Sequence, residues 1–296
     1  MRALREKFLT EGYLKIENAF DPKFLNQLIS EEDEIISNKG LSCYKSLWKI
    51  IINEKLLSCL RAVFDNDLNF NCDSGARINY NAKVPLPKNL LHRDNQNVFN
   101  PDESFEVARC AIYLNDYTNL SDCLSIVPGS HKTLDLNIKN FLRLFEKGNR
   151  FVQEREERLH GRKIKLKKTR IRQFFKKKKI NIITRPGDLV LWNLRTLHQG
   201  YSKRLKFMKK YCIPNILYHI LPKFLLLPVP KTRDAIFFVI YNLKNDKSGS
   251  VKEYCDRRYK AIDKAHWEFQ MNSDMIEHFK KEGINIDARG FEKLHN

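Results

Sequence analysis

His92 and Asp94 stand two positions apart in LLHRDNQNVF, residues 90–99, and they form the one His-x-Asp triplet in the chain. On an extended strand the two-residue period puts both on one face, where an imidazole and a carboxylate can reach a common ion. A solvated edge strand could carry the same pair with no chemistry at all. A metal centre needs a third ligand, and the best candidate is His198, which closes the strand-like run GDLVLWNLRTLHQG that starts at the turn Pro186-Gly187. Two imidazoles and a carboxylate on one side of an ion leave three open positions. That arrangement suits non-haem Fe(II), which must bind a cosubstrate and O2 together.

Other polar residues invite plainer readings. His131 follows the Pro-Gly turn in PGSHK and reads as a turn histidine capping backbone groups rather than a ligand. His219 lies in an apolar stretch and reads as a packed histidine. Arg109 and Tyr113 in VARCAIYLND share one strand face, as do Arg77 and Asn79, so each pair either lines an interior or packs in a core.

The elements that must position these residues are mostly strands. Asp21 and Pro22 open an amphipathic helix toward Ser37, and a second helical stretch runs from Leu47 to Phe64. Beyond it come short runs rich in Val, Ile, Phe and Tyr: Leu68 to Asn81, Phe105 to Leu114, Leu124 to Val127, Ile180 to Thr184, Asp188 to Asn193 and Ala235 to Asn242. Turn signals separate them, with no regular intervening helices, so an antiparallel sandwich or barrel is expected rather than a doubly wound sheet. The segment 134–179 reads as a helical insertion, 203–231 as a second insertion, and Ser248 to Glu282 as a helical tail outside the β core.

Composition narrows the class. The chain has 296 residues and a formal net charge of +19, which favours an anionic partner. Eleven basic residues and no acidic one lie between Arg162 and Lys179, so this block supplies more than half of the excess. It is either a solvated helix face or a contact for a polyanion, a membrane surface or a phosphorylated substrate. The N-terminal MRALREKFLTEGYL has no apolar core of a secretory signal. The most apolar stretch, Tyr211 to Pro230, is broken by Lys223 and four prolines, so no transmembrane segment is expected. Seven cysteines with no Cys-x-x-Cys suggest reduced thiols and a cytoplasmic location.

The segments LHRD, YLNDYTNLSDCLSIVPGSHK, RPGDLVLWNLRTLHQG and TRDAIFFVIY occur in an order and with a character that resembles the phytanoyl-CoA dioxygenase family of Fe(II)/2-oxoglutarate oxygenases. The opening FLTEGYLKIENAF is similar to that family's N-terminal segment, and the resemblance covers roughly residues 8–135 and 180–242. It implies one mainly β domain over 1–296 with flanking α-helices: support in 1–66, a double-stranded β-helix (jelly-roll, cupin-like) core in 67–242, and an extension in 243–296. It implies Fe(II), 2-oxoglutarate and O2, with His92, Asp94 and His198 as the iron ligands.

The family's arginine for the distal carboxylate of 2-oxoglutarate matches Arg233 in RDAIFF. A buried dicarboxylate needs a cation with paired donors that stays charged. Thirty-five residues separate His198 from Arg233, a longer link than is usual in the family, so Arg204 is the rival anchor. Tyr113 and Arg77 are further candidates for cosubstrate contact. A carboxylate at Asp94, where related halogenases have a small residue, implies hydroxylation or a similar oxidation. The expected activity is oxidation of a small, anionic organic substrate with release of succinate and CO2. Two alternatives keep the fold: a basic nucleic-acid- or membrane-surface-binding protein with a vestigial metal site, and an isomerase or epimerase that uses the cavity without redox chemistry.

Overall fold

A computed structural model describes residues 2–35, 39–78, 92–94, 105–117, 123–132, 179–200, 207, 221–225, 234–264 and 272–286. Within them the chain passes back and forth between two sheets. Strand β1 (Tyr13–Ile16) and β2 (Leu68–Arg77) lie in the larger sheet, and the chain crosses to the smaller one at His92. It returns as β3 (Val107–Tyr113), crosses to β4 (Leu124–Ile126) and β5 (Ile180–Ile182), and returns again as β6 (Leu189–Asn193). It then crosses at β7 (His198–Gln199) and comes back as β8 (Ala235–Tyr241).

The larger sheet reads β1-β6-β3-β8-β2-β9, and the smaller reads β5-β4-β7 with His92 bridged to His198. Pairing is antiparallel except between β2 and β9 (Ile284–Ile286). Spatial neighbours therefore come from distant segments while the chain from β2 to β8 passes repeatedly between the two layers. This is the jelly-roll core that the resemblance implies.

Both faces of the larger sheet are covered. Ala108, Cys110, Ile112, Leu189, Leu191, Phe238 and Ile240 pack on one face with helices α1 (Arg2–Glu11), α2 (Pro22–Ser30) and α3 (Glu54–Phe64). The other face turns Ala111, Tyr113, Val190 and Trp192 toward Leu124, Ile126 and Ile182 of the smaller sheet. A strand buried on both sides carries an unbroken apolar run instead of an alternating one. That is why AIFFVIY and LVLWN mark strands clearly but do not reveal which residues face the interior.

Helix α2 stops at Ser30 rather than running toward Ser37. Just beyond it, the Glu32 carboxylate accepts from the backbone N–H of Lys45, Ser46 and Leu47 at 3.0, 2.7 and 3.2 Å, drawing the chain out of the helical path. The stretch from Leu47 to Phe64 divides into a tight 3-10 turn (Leu47–Ile50) and α3, because the Asn53 side chain accepts from Leu56 N and caps a fresh helix. The described part of the tail contains α4 (Ser250–Lys264) and α5 (Ser273–Lys281). It also adds β9, a three-residue strand on the open edge of β2 that sequence reading did not foresee. The expected helices of 134–179 and the basic block up to Lys178 lie outside the described residues, as does most of 203–231.

Candidate metal centre

The smaller sheet brings the two histidines together through its backbone. His92 N donates to His198 O at 2.9 Å and His198 N donates to His92 O at 2.8 Å, so the pair sits directly opposite across antiparallel strands. Opposed residues share a face, and the two rings lie with centroids 4.4 Å apart. Asp94, two residues after His92, joins them on that face. The chain approaching His198 is held by several bonds: Thr196 Oγ1 donates to Gly12 O at 2.8 Å, Leu197 N donates to Ser130 Oγ at 2.8 Å, and Val127 N donates to Leu197 O at 2.9 Å. The buried Arg93 donates to the carbonyls of Ser130 and Arg195. The VPGSH turn thus seats the last turn before His198. His131 takes the structural role expected of it, with Nε2 donating to the Leu9 carbonyl at 3.0 Å.

Ligand atoms of His92, Asp94 and His198 all lie within 4.8 Å of one another. Asp94 Oδ1 is 3.8 Å from His92 Nε2 and 3.6 Å from His198 Nε2. These separations are too long for hydrogen bonds, yet two bonds of roughly 2 Å to a shared ion span them. Burial lowers the His198 pKa to about 4, against the pull of Asp94, so its imidazole is neutral near pH 7. Its Nδ1–H donates to the Thr196 carbonyl at 3.0 Å, which turns the Nε2 lone pair toward Asp94.

Burial alone would raise the Asp94 carboxyl. The Arg109 guanidinium, with His198 and His92, outweighs it and holds the group well below the usual carboxylate range. The Asp94 Oδ2 atom is buried without a hydrogen-bond partner. An ionised carboxylate and a neutral, oriented imidazole are the donor set that a divalent cation takes. Side-chain exposure is 34% for His92, 19% for Asp94 and 5% for His198, so the centre opens on the His92 side.

Behind Asp94 stands a ladder of charges. Arg109 Nε lies 3.5 Å from Asp94 Oδ2, and Arg109 Nη2 donates to Asp73 Oδ2 at 2.8 Å. On the far side, Arg258 of α4 grips Asp73 with Nε and Nη2 at 2.7 and 2.8 Å. Trp192 pairs with Arg109 across β3 and β6, and its ring lies 5.4 Å from that of His198.

Sequence reading placed Arg109 and Tyr113 on one strand face, and both turn to the interior. Tyr113 stacks edge-on against Tyr117, with ring centroids 5.3 Å apart, within the apolar cluster between the sheets. Arg77 is exposed, with its guanidinium 5.3 Å from the Phe237 ring centre. Arg233, Arg204, Asn79 and His219 lie outside the described residues. The next residue, Asp234, is described: its N–H donates to the Tyr117 hydroxyl at 2.6 Å where the chain enters β8.

Asp73, Trp192 and Arg258 escaped the sequence reading. A register shift between Asn71 and Gly75 on β2 breaks the alternation that would have paired Asp73 with Arg77. Arg258 is one basic residue among several on a helix and carries no local signal.

A jelly roll whose smaller sheet clusters two imidazoles and a carboxylate belongs to the class of iron- and 2-oxoglutarate-dependent oxygenase folds. The family model described as phytanoyl-CoA dioxygenase (PhyH) matches residues 9–209, and the chain belongs to that family. No curated protein matches it. Solved structures resemble it at a distance. HygX from Streptomyces hygroscopicus, with nickel and 2-oxoglutarate bound, is 14% identical with a TM-score of 0.43, covering 82% of this chain and 87% of that one. The non-heme alpha ketoglutarate dependent epimerase SnoN from nogalamycin biosynthesis is 11% identical with a TM-score of 0.42, covering 81% and 82%. AviO1 from Streptomyces viridochromogenes Tue57 is 14% identical with a TM-score of 0.42, covering 82% and 96%. Among the described residues, no helix is long and apolar enough to cross a membrane.

Proposed function

We propose that this chain is a hydroxylase of the Fe(II)/2-oxoglutarate type acting on a small, anionic organic substrate, with His92, Asp94 and His198 as the iron ligands. The observation that carries this reading is the convergence of their ligand atoms within 4.8 Å, from segments far apart in sequence. Iron bound there supplies the redox chemistry by which one oxygen atom of O2 enters succinate as 2-oxoglutarate loses CO2 and the other enters the substrate. The protein's own tasks are binding, orientation and exclusion of water. Thr196 holds the proton on His198 Nδ1, which keeps Nε2 a donor to the metal. Arg109 keeps Asp94 ionised. Tyr113, Tyr117, Leu124, Ile126 and Val190 wall the space between the sheets with apolar surface.

Arg233 is the proposed anchor for the cosubstrate's distal carboxylate, with Arg204 as its rival and Tyr113 and Arg77 as further contacts. Cosubstrate and substrate are both anionic in this reading, in keeping with a chain of net charge +19.

The test is succinate formation from 2-oxoglutarate by the iron-loaded protein. Turnover that needs iron and disappears in His92→Ala supports the reading. Salt-sensitive retention on DNA or anionic vesicles without any turnover points instead to a basic binding protein on the same scaffold.

A further inference from the structure

We propose that helix α4, beyond the stretch that matches the family, is a working part of the metal centre: Arg258, acting through Asp73 and Arg109, fixes the orientation of the Asp94 carboxylate. The inference rests on reading His92, Asp94 and His198 as metal ligands. Arg258 is a positioning residue in this account, since it touches Asp73 and not the ligand set.

The geometry is continuous from the helix to the ligand. Arg258 takes both oxygens of Asp73 at 2.7 and 2.8 Å, a two-pronged grip that leaves the carboxylate one orientation. Asp73 in turn holds Arg109 Nη2 at 2.8 Å. With that nitrogen fixed, Arg109 Nε faces Asp94 Oδ2 at 3.5 Å, and Asp94 Oδ1 faces the two imidazoles at 3.8 and 3.6 Å. The ladder therefore decides which carboxylate oxygen is offered to the ion. It is also neutral, since two guanidiniums face two carboxylates and no net positive field is set against a dication.

The helix is docked firmly enough to serve. Val251, Tyr254 and Cys255 pack with Phe105, Val107, Val239 and Tyr241, and the Tyr254 ring meets Phe105 edge-on at 6.1 Å. Asn71 Nδ2 donates to Cys255 Sγ at 3.6 Å. The register shift on β2 between Asn71 and Gly75 brackets Asp73, whose side chain is 1% exposed. Burying that carboxylate between two guanidiniums costs desolvation, and a well-packed apolar set would be at least as stable. Orienting a ligand gives such a costly arrangement a use.

The sign of one substitution separates orientation from simple charge. Taking a cation away from a dication should tighten metal binding by Coulomb's law alone. Loss of orientation should weaken it. The experiment titrates Co(II) into the full chain and reads affinity and the visible absorption band, whose position and intensity follow the ligand geometry. Arg258→Gln is expected to bind Co(II) about 10-fold more weakly than wild type, within the range for residues that orient ligands, with an altered band. Arg258→Lys, which keeps the charge but not the two-pronged grip, is expected to fall between them. Unchanged or tighter binding by folded Arg258→Gln, with the wild-type band, overturns the proposal. Should Arg258→Gln fail to fold, Arg258→Lys decides: weaker binding supports the ladder and unchanged binding refutes it. A metal affinity in wild type that survives His198→Ala refutes the underlying site instead, and so marks a different failure.

Discussion

Gly12 tests the link between packing and the metal centre. It adopts φ +75° at the end of α1, and a Cβ there would run into the His131 ring and the Thr196 hydroxyl. Its carbonyl accepts from Asn193 N at 2.9 Å and from Thr196 Oγ1 at 2.8 Å, and the Thr196 carbonyl in turn accepts from His198 Nδ1. Gly12→Ala therefore adds two costs. The left-handed backbone costs about 1–2 kcal/mol for a residue with a Cβ. Overpacking against His131 and Thr196 adds about 1–3 kcal/mol. Gly249 supplies the control, because it has φ +70° with nothing within 4 Å of an added Cβ. Gly249→Ala should show the backbone cost alone. Thermal denaturation of the two variants then isolates the contact cost, expected as a Tm lower by roughly 2–5 °C in Gly12→Ala than in Gly249→Ala. Since the contact cost is relieved by moving Thr196, Gly12→Ala should also weaken Co(II) binding, whereas Gly249→Ala should not. Equal Tm losses with equal metal affinities would refute the reasoning.

Burial lowers the His131 pKa to about 4, whereas an unfolded histidine titrates near 6.5. The unfolded chain therefore binds more protons between these values, and stability should fall as the pH drops through that window, by up to about 3 kcal/mol. Denaturant unfolding at pH 7 and pH 4.5 should show a smaller loss in His131→Gln than in wild type, and equal losses would show that His131 is not held neutral. At the start of β6, the buried Asp188 carboxylate accepts from Asn18 N at 2.9 Å, Arg185 N at 3.0 Å and Lys15 Nζ at 3.1 Å. Asp188→Asn should cost about 2–3 kcal/mol by weakening charge-assisted bonds, and an unchanged unfolding midpoint would contradict that role.

The His-x-Asp spacing and the family resemblance nominated His92, Asp94 and His198 as ligands, and the structure brings their ligand atoms within 4.8 Å of one another. The strands themselves were legible in Val, Ile and Phe content, with ends that differ by at most two residues except in β2, which stops at Arg77 instead of running to Asn81. What spacing could not convey was contact made across the fold. Glu32 ends α2 early by reaching the 45–47 backbone. Asp73 is hidden by a register shift that no residue type announces. Arg258 matters only because α4 docks over β2, a long-range event with no trace in its neighbours. Within the tail, Arg258 reaches inward to Asp73 and the ladder.

The central claim is tested most directly by a crystal structure of the full chain grown anaerobically with Fe(II) and 2-oxoglutarate, phased so that the iron's anomalous signal is visible. The account predicts an ion bonded at roughly 2.0–2.2 Å to His92 Nε2, His198 Nε2 and Asp94 Oδ1. Saturating iron that leaves these three atoms without a shared ion, or that binds elsewhere in the protein, would contradict it.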